Sequence, residues 1–156
     1  MRHIISVLLE NESGALSRVA GLFSARSFNI ESLSVAPSED ESASRMTIVT
    51  SGDDRVIEQV VKQLNKLLDV IEVSEITADE HVEREIAFVK IDGKSIDDKM
   101  MSDFSANEFL KIHKTKSNEI IIECVDSPEK INLFLSSVKH IAVKIVRSGS
   151  VGINSN

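Results

Sequence analysis

The sequence predicts an α+β chain made of two βαββαβ sets in succession. Apolar runs of strand length alternate with helical stripes, and the same order occurs twice. The 156 residues suffice for one ordinary domain or two small ones. A polar link, Thr77-Ala78-Asp79-Glu80, divides them. Helices that join non-neighbouring strands, with one hairpin between, describe a ferredoxin-like sandwich, two helices on one face of a four-stranded antiparallel sheet. The boundary places one domain at 1–77 and the other at 78–156. The second face of each sheet then needs cover or must meet solvent.

In order, His3 to Leu9 is a buried strand of Ile, Val and Leu. Ser13 or Asn11 can cap the helix that follows, whose stripe is Leu16, Val19, Ala20 and Phe23. Gly21 inside it suits close packing. Ser27 to Ala36 is a strand stopped by Pro37. In Ser44 to Thr50, Met46 and Ile48 face one way, Arg45, Thr47 and Val49 the other. Ser51-Gly52-Asp53-Asp54 turns and caps a helix with the stripe Ile57, Val60, Val61, Leu64, Leu67 and Leu68. Val70 to Ile76 closes the first set.

The second set opens with a strand from Val82 to Ile91, interrupted early by Glu83, Arg84 and Glu85. A weak helix spans Ser95 to Ser102. A hairpin joins Asn107–His113 to Glu119–Val125 around Thr115-Lys116-Ser117-Asn118. Ser127-Pro128-Glu129 starts a helix with the stripe Ile131, Phe134, Leu135 and Val138. Ile141 to Val146 is the last strand, and Gly149 to Asn156 reads as a small, polar, loose tail.

Composition narrows the function classes. Apolar residues make up 42% and aromatics 4%, with no Trp or Tyr, so the core is aliphatic. A net charge of −7 without basic clusters disfavours nucleic acid. RNA-binding relatives of this fold stack bases on strand aromatics, and Arg45-Met46-Thr47-Ile48-Val49 has none. No run is long enough for a membrane span, and no signal segment opens the chain, so a cytoplasmic setting is expected. His3, His81, His113 and His140 lack metal-ligand spacing, so no metal site is expected. Cys124 in Ile120–Val125 reads as a buried, inert thiol. No acid/base pair, phosphate loop or dinucleotide fingerprint is present, so no catalytic residues are expected.

The stretch from Leu9 to Asn29 is different. A strand passes through Glu10-Asn11-Glu12-Ser13-Gly14 into a helix at Ala15-Leu16. Helix N-termini present unpaired N–H groups that suit a carboxylate. Gly14, without a Cβ, allows close approach. Asn11 and Asn29 each offer a donor and an acceptor, and Leu9, Ile30 and Leu33 an apolar wall. A free amino acid fits this inventory. So does plain helix capping, and the residues alone leave both readings open.

Leu8-Leu9-Glu10-Asn11-Glu12-Ser13-Gly14-Ala15-Leu16-Ser17-Arg18-Val19 closely resembles the start of regulatory (small) subunits of acetolactate synthase, also called acetohydroxyacid synthase. Phe28 to Pro37, Ser44 to Ile48 and His81 to Ile86 resemble the same family. The likeness is strong across residues 2–91, thin beyond, and recovers weakly at Val146 to Gly149. Asp92 to Asp98 is shorter and more acidic than the family's segment there, and the C-terminal end is reduced.

The resemblance implies an N-terminal ACT domain that pairs with a second copy and binds valine at the interface, with leucine or isoleucine as alternative effectors. It implies a catalytic large subunit as partner, which carries thiamine diphosphate, magnesium and FAD; this chain holds no cofactor. It implies activation of that partner and feedback inhibition in branched-chain amino-acid biosynthesis. Effector positions carry over to Asn11, Gly14, Ala15, Leu16, Asn29 and Ile30, with Ser17 close by. The loop then forms half a site, and the second copy supplies the other half. The alternative is a stand-alone ACT-type regulator that senses an amino acid and acts on transcription or another enzyme.

Overall fold

The computed structural model describes residues Met1–Ser155. The order is β1 (Arg2–Glu10), α1 (Ala15–Ala25), β2 (Ile30–Pro37), β3 (Ala43–Ser51), α2 (Asp54–Leu64), β4 (Val70–Glu75), β5 (His81–Asp92), α3 (Asp98–Ala106), β6 (Leu110–Lys114), β7 (Glu119–Asp126), α4 (Pro128–Val138) and β8 (Ala142–Asn154). Two four-stranded sheets form, in the orders β2-β3-β1-β4 and β6-β7-β5-β8. These are the two ferredoxin-like sandwiches the alternation predicts. The chain divides into Met1–Val82 together with the stretch from Ser150, and Glu83–Gly149.

In the first unit, β1 is an inner strand, paired antiparallel to β3 and β4. Its odd residues Ile5, Val7 and Leu9 pack with Met46 and Ile48 of β3 against Val19 and Phe23 of α1 and Ile57, Val60 and Leu64 of α2. Phe23 meets Phe28 edge to face at 6.4 Å. Asp53 caps α2 by accepting from the Val56 N–H at 2.9 Å. That helix ends at Leu64, short of the predicted stripe, and Leu68 is 97% exposed. Gly21 has nothing within 4 Å of where a Cβ would stand, so it is a surface glycine and not a packing one.

The far face of this sheet is where the structure departs most from the sequence reading. Ile4, Thr47 and Val49 point there and are as buried as the residues under the helices. The cover is the chain's last stretch, which is strand and not a loose tail. The Ser150 N–H donates to Ser32 Oγ at 2.9 Å, and the Gly152 N–H reaches Thr47 Oγ1 at 3.5 Å. The Ser155 N–H donates to the Glu80 carbonyl at 2.8 Å. Small residues are needed here because the last strand's backbone lies directly on side chains of the sheet. A Cβ on Gly152 would lie 3.0 Å from Ile76 Cδ1 and 3.5 Å from Ile4 Cγ2.

In the second unit, Ala87, Val89 and Ile91 of β5 pack with Ile122 and Cys124 of β7 and Ile131, Leu135 and Val138 of α4. β5 is continuous through its acidic start. Glu85 is buried, but the Arg147 guanidinium holds it with two parallel bonds of 2.7 and 2.6 Å. α3 begins later than predicted, because residues 93–95 form a tight 3-10 turn and Asp97 caps the helix at the Met100 N–H, 2.7 Å. Ser127 stands at the cap of α4 but its hydroxyl makes no capping bond; Asp126 instead accepts the Ser127 N–H at 2.7 Å and Lys130 Nζ at 3.0 Å. Burial pushes the Cys124 thiol above its ordinary value, which fits an inert core residue.

Gly152→Leu should force overpacking between the last strand and the first sheet. We expect a loss of about 1–3 kcal/mol, read as a lower urea midpoint, whereas an equivalent change at exposed Gly21 to Ala should not destabilise.

Candidate functional site

The loop after β1 is shaped by one backbone conformation. Gly14 is the cap residue of α1 with φ +93°, in the left-handed region that L side chains rarely adopt. No side chain caps the helix, so neither Ser13 nor Asn11 plays that role. The Ala15 N–H turns back to the Glu12 carbonyl at 3.3 Å, and the Arg18 N–H takes the Gly14 carbonyl at 3.0 Å. With no side-chain cap on this helix end, the first-turn N–H groups at Leu16 and Ser17 are the donors that an anion would meet.

Asn11 is tied elsewhere. Its Nδ2 donates to the Glu41 carbonyl at 3.1 Å, and its Oδ1 accepts from Ser44 Oγ at 3.1 Å. Its own N–H donates to the Ser42 carbonyl at 2.8 Å. These bonds anchor the loop to the start of β3. Ala15 is buried in the core and Leu16 is partly exposed. Leu9 is fully buried and cannot form a wall, while Ile30 and Leu33 are partly buried against the same core.

Two residues that the sequence reading missed complete the loop. Arg18 lies one helical turn beyond Gly14, and a Cβ on Gly14 would meet its Nη1 at 2.8 Å. Asp69, just before β4, binds this guanidinium through both oxygens, with Nη2 to Oδ1 at 2.8 Å and Nε to Oδ2. The Asp69 carbonyl also accepts the Glu10 N–H at 2.8 Å. The i,i+4 spacing from Gly14 places Arg18 on the loop's side of the helix; Asp69, 51 positions away, leaves no local signal.

Asn29 and Ile30 stand at the opposite end of the sheet. Ile30 pairs with Thr50, and Thr50 with His3. The Thr50 hydroxyl donates to the Asn29 carbonyl at 2.6 Å, which leaves the exposed Asn29 side chain outside this bond. The loop begins beyond Glu10, which pairs with Ala43. Seven steps of β1, from His3 to Glu10, separate the two ends, roughly 23 Å at the usual strand rise. Within one chain, then, Asn11, Gly14, Ala15 and Leu16 are brought together, and Asn29 and Ile30 are not brought to them.

Residues 5–72 match the family model described as "AHAS small subunit-like ACT domain" and residues 84–156 the one described as "Small subunit of acetolactate synthase". The chain belongs to the acetolactate synthase small-subunit family. It is 46% identical to the acetolactate synthase isozyme 3 small subunit of Salmonella typhimurium, with 99% of this chain and 96% of the relative covered. It is 41% identical to the probable acetolactate synthase small subunit of Archaeoglobus fulgidus, over 98% and 96%. The crystal structure of the acetolactate synthase small subunit from Thermotoga maritima superposes with a TM-score of 0.86 at 33% identity, over 100% of this chain and 98% of that one. The second match runs to residue 156, so the family likeness does not thin out beyond residue 91 as the sequence reading has it. Among the described residues, no helix is long and apolar enough to cross a membrane.

The Arg18 bonds hold the Asp69 carboxyl below its ordinary 3.8. A depressed carboxyl stabilises the fold above that ordinary value and loses its contribution as pH falls through the lower folded one. We expect carbon-detected NMR to show Asp69 titrating below 3.8 in the wild type. Arg18→Ala should bring it back toward the ordinary value and remove this acid-linked part of the stability.

Proposed function

We propose that this chain is the regulatory subunit of an acetolactate synthase. It activates a thiamine-diphosphate-dependent catalytic subunit and confers feedback inhibition by valine. The small-subunit relatives support the catalytic partner and the holoenzyme. The observation that carries the effector reading is the open N-terminus of α1 behind Gly14, with no side chain capping it. Leu16 and Ser17 N–H groups receive the valine carboxylate. The Arg18 guanidinium is shared with Asp69, so attraction for the carboxylate comes mainly from the helix end. Partly exposed Leu16 supplies apolar contact for the isopropyl group.

The site needs a second copy. β2 is an edge strand, with Val35 exposed along it. Two β2 edges paired antiparallel about a two-fold axis bring the Asn29 end of one chain beside the Gly14 end of the other. That removes the roughly 23 Å separation within a single chain. Asn29 and Ile30 of one copy then close the site formed by Asn11, Gly14, Ala15 and Leu16 of its partner, and Asn29 meets the valine ammonium. Valine shifts the balance between two arrangements of the dimer by its difference in affinity for them, and a coupling of about 1–3 kcal/mol is typical.

Gly14→Asp places a carboxylate where the ligand's own carboxylate binds, and Asn29→His alters the other wall. Each alone should weaken valine binding at least about tenfold by calorimetry and blunt inhibition, while activation of the catalytic subunit persists. Mixed dimers provide the sharper test. One Gly14→Asp chain paired with one Asn29→His chain retains one intact site, made from the good loop of one and the good asparagine of the other. Valine binding at one site per dimer is the expected result; none would place both halves in a single chain, or the effector elsewhere. Synthase activity with and without this chain, titrated with valine, leucine and isoleucine, tests the regulatory reading itself.

A further inference from the structure

We propose that a cavity on the α2 side of the first unit binds a primary ammonium compound with a short aliphatic body. The cavity measures about 480 Å³, within the range of roughly 300–1,000 Å³ usual for small-molecule sites. Ile57, Val61 and Ala78 supply apolar wall, and His3, Asp54 and Glu75 lie along it. It sits across the strand order from the β2 edge, so it shares no residue with the valine reading.

The polar groups of this cavity define the ligand. The terminal ammonium of Met1 donates to the Gly52 carbonyl at 2.9 Å. Lys62 is paired with Glu58 at 2.5 Å. The Thr77 hydroxyl accepts the Ile4 N–H at 2.7 Å, and Glu75 accepts the Thr77 N–H at 3.2 Å. Glu75 Oε1 also lies 3.4 Å from His3 Nδ1, an arrangement that calls for the proton on Nδ1. In that neutral tautomer Nε2 is an acceptor. It is buried, and among the described residues it has no hydrogen-bond partner, although the His3 side chain is only 5% exposed. Asp54 Oδ1 lies 3.8 Å from Nε2, another acceptor and too distant for a bond.

Beside the apolar cavity the buried Nε2 acceptor has no donor, and the exposed Asp54 carboxylate is a second acceptor next to it. A carboxylate ligand would meet repulsion from Asp54 and Glu75. A neutral alkyl group would leave Nε2 unpaired. An ammonium has three N–H donors and can serve Nε2 and Asp54 together, while its chain lies on Ile57 and Val61. Asp54 is 83% exposed at the first turn of α2, so its carboxylate can rotate toward the incoming charge.

The test uses n-hexylammonium chloride as probe, titrated into the full chain and followed by amide nitrogen–proton NMR. Saturable shifts are expected at Ile57, Val61 and Ala78, with sodium hexanoate at least about tenfold weaker. Ala78→Phe, at an exposed position that narrows the cavity, should abolish the shifts. Asp54→Asn, also exposed, should weaken binding by about tenfold, the loss of one charge-assisted bond. Neither change removes a core side chain, so both variants should fold. An equal response to hexanoate, shifts confined to other residues, no response, or unchanged binding in either variant would overturn the proposal. Valine-dependent inhibition should be unaffected by Ala78→Phe, which separates this site from the effector site.

Discussion

Burial of β1 on both faces is the constraint on which the first unit depends. Alternate side chains of a strand point in opposite directions, so Ile5, Val7 and Leu9 can reach the helices only if Ile4 and Ser6 face the other way. A sandwich with helices on one face leaves that second set to water. Here it is covered, and the cover comes from a strand more than sixty positions after Val82. Once β1 is fixed in this way, its two ends become two distinct places. One end hands over to Gly14 and an open helix terminus. The other presents His3, Thr50 and Asn29.

In the proposed site, that separation is why the loop and Asn29 meet across two copies and not within one chain. A helix terminus supplies N–H groups for a carboxylate but nothing for the ammonium of the same amino acid. A strand start with an exposed asparagine supplies the reverse. In the proposed site neither half suffices alone, and the sheet's length keeps them apart. The proposed dimer joins them by a symmetric arrangement in which top meets bottom, with the edge strand β2 as the geometric means.

Much of the fold was legible in the sequence. Periods of two and of 3.6 residues assign both βαββαβ sets, because burial of one face per element is a local pattern. Asp53 at its cap and Cys124 in its apolar run were equally readable. What escaped the sequence depends on pairs far apart in the chain. Glu85 read as a break in β5 because its neutralising Arg147 lies 62 positions away. Ser150 and Gly152 read as a loose tail because small residues signal flexibility locally, whereas here they permit one backbone to lie closely on a sheet. In the candidate site, the structure calls for glycine at Gly14 through its left-handed φ and the Arg18 guanidinium against it, whereas the sequence reading invoked the close approach of a ligand. The caps expected at Ser13 or Asn11 are not formed: Gly14 stands at the cap position and leaves the helix end without a side-chain cap. Asn11 instead spends its amide on the start of β3.

The strand from Ser150 also sets an order of events during synthesis. A ribosome releases Met1–Val82 first, with strands and helices enough to close one face of its sheet. The opposite face, with Ile4, Thr47 and Val49, waits for a segment 68 positions later, from 82 to 150. At about 5–20 residues per second this is a delay of roughly 3–14 seconds. During that interval the nascent first unit exposes a flat aliphatic sheet surface, the kind of surface that chaperones hold and that misassembled neighbours share. The half of the protein that carries the ACT domain is thus made first and finished last.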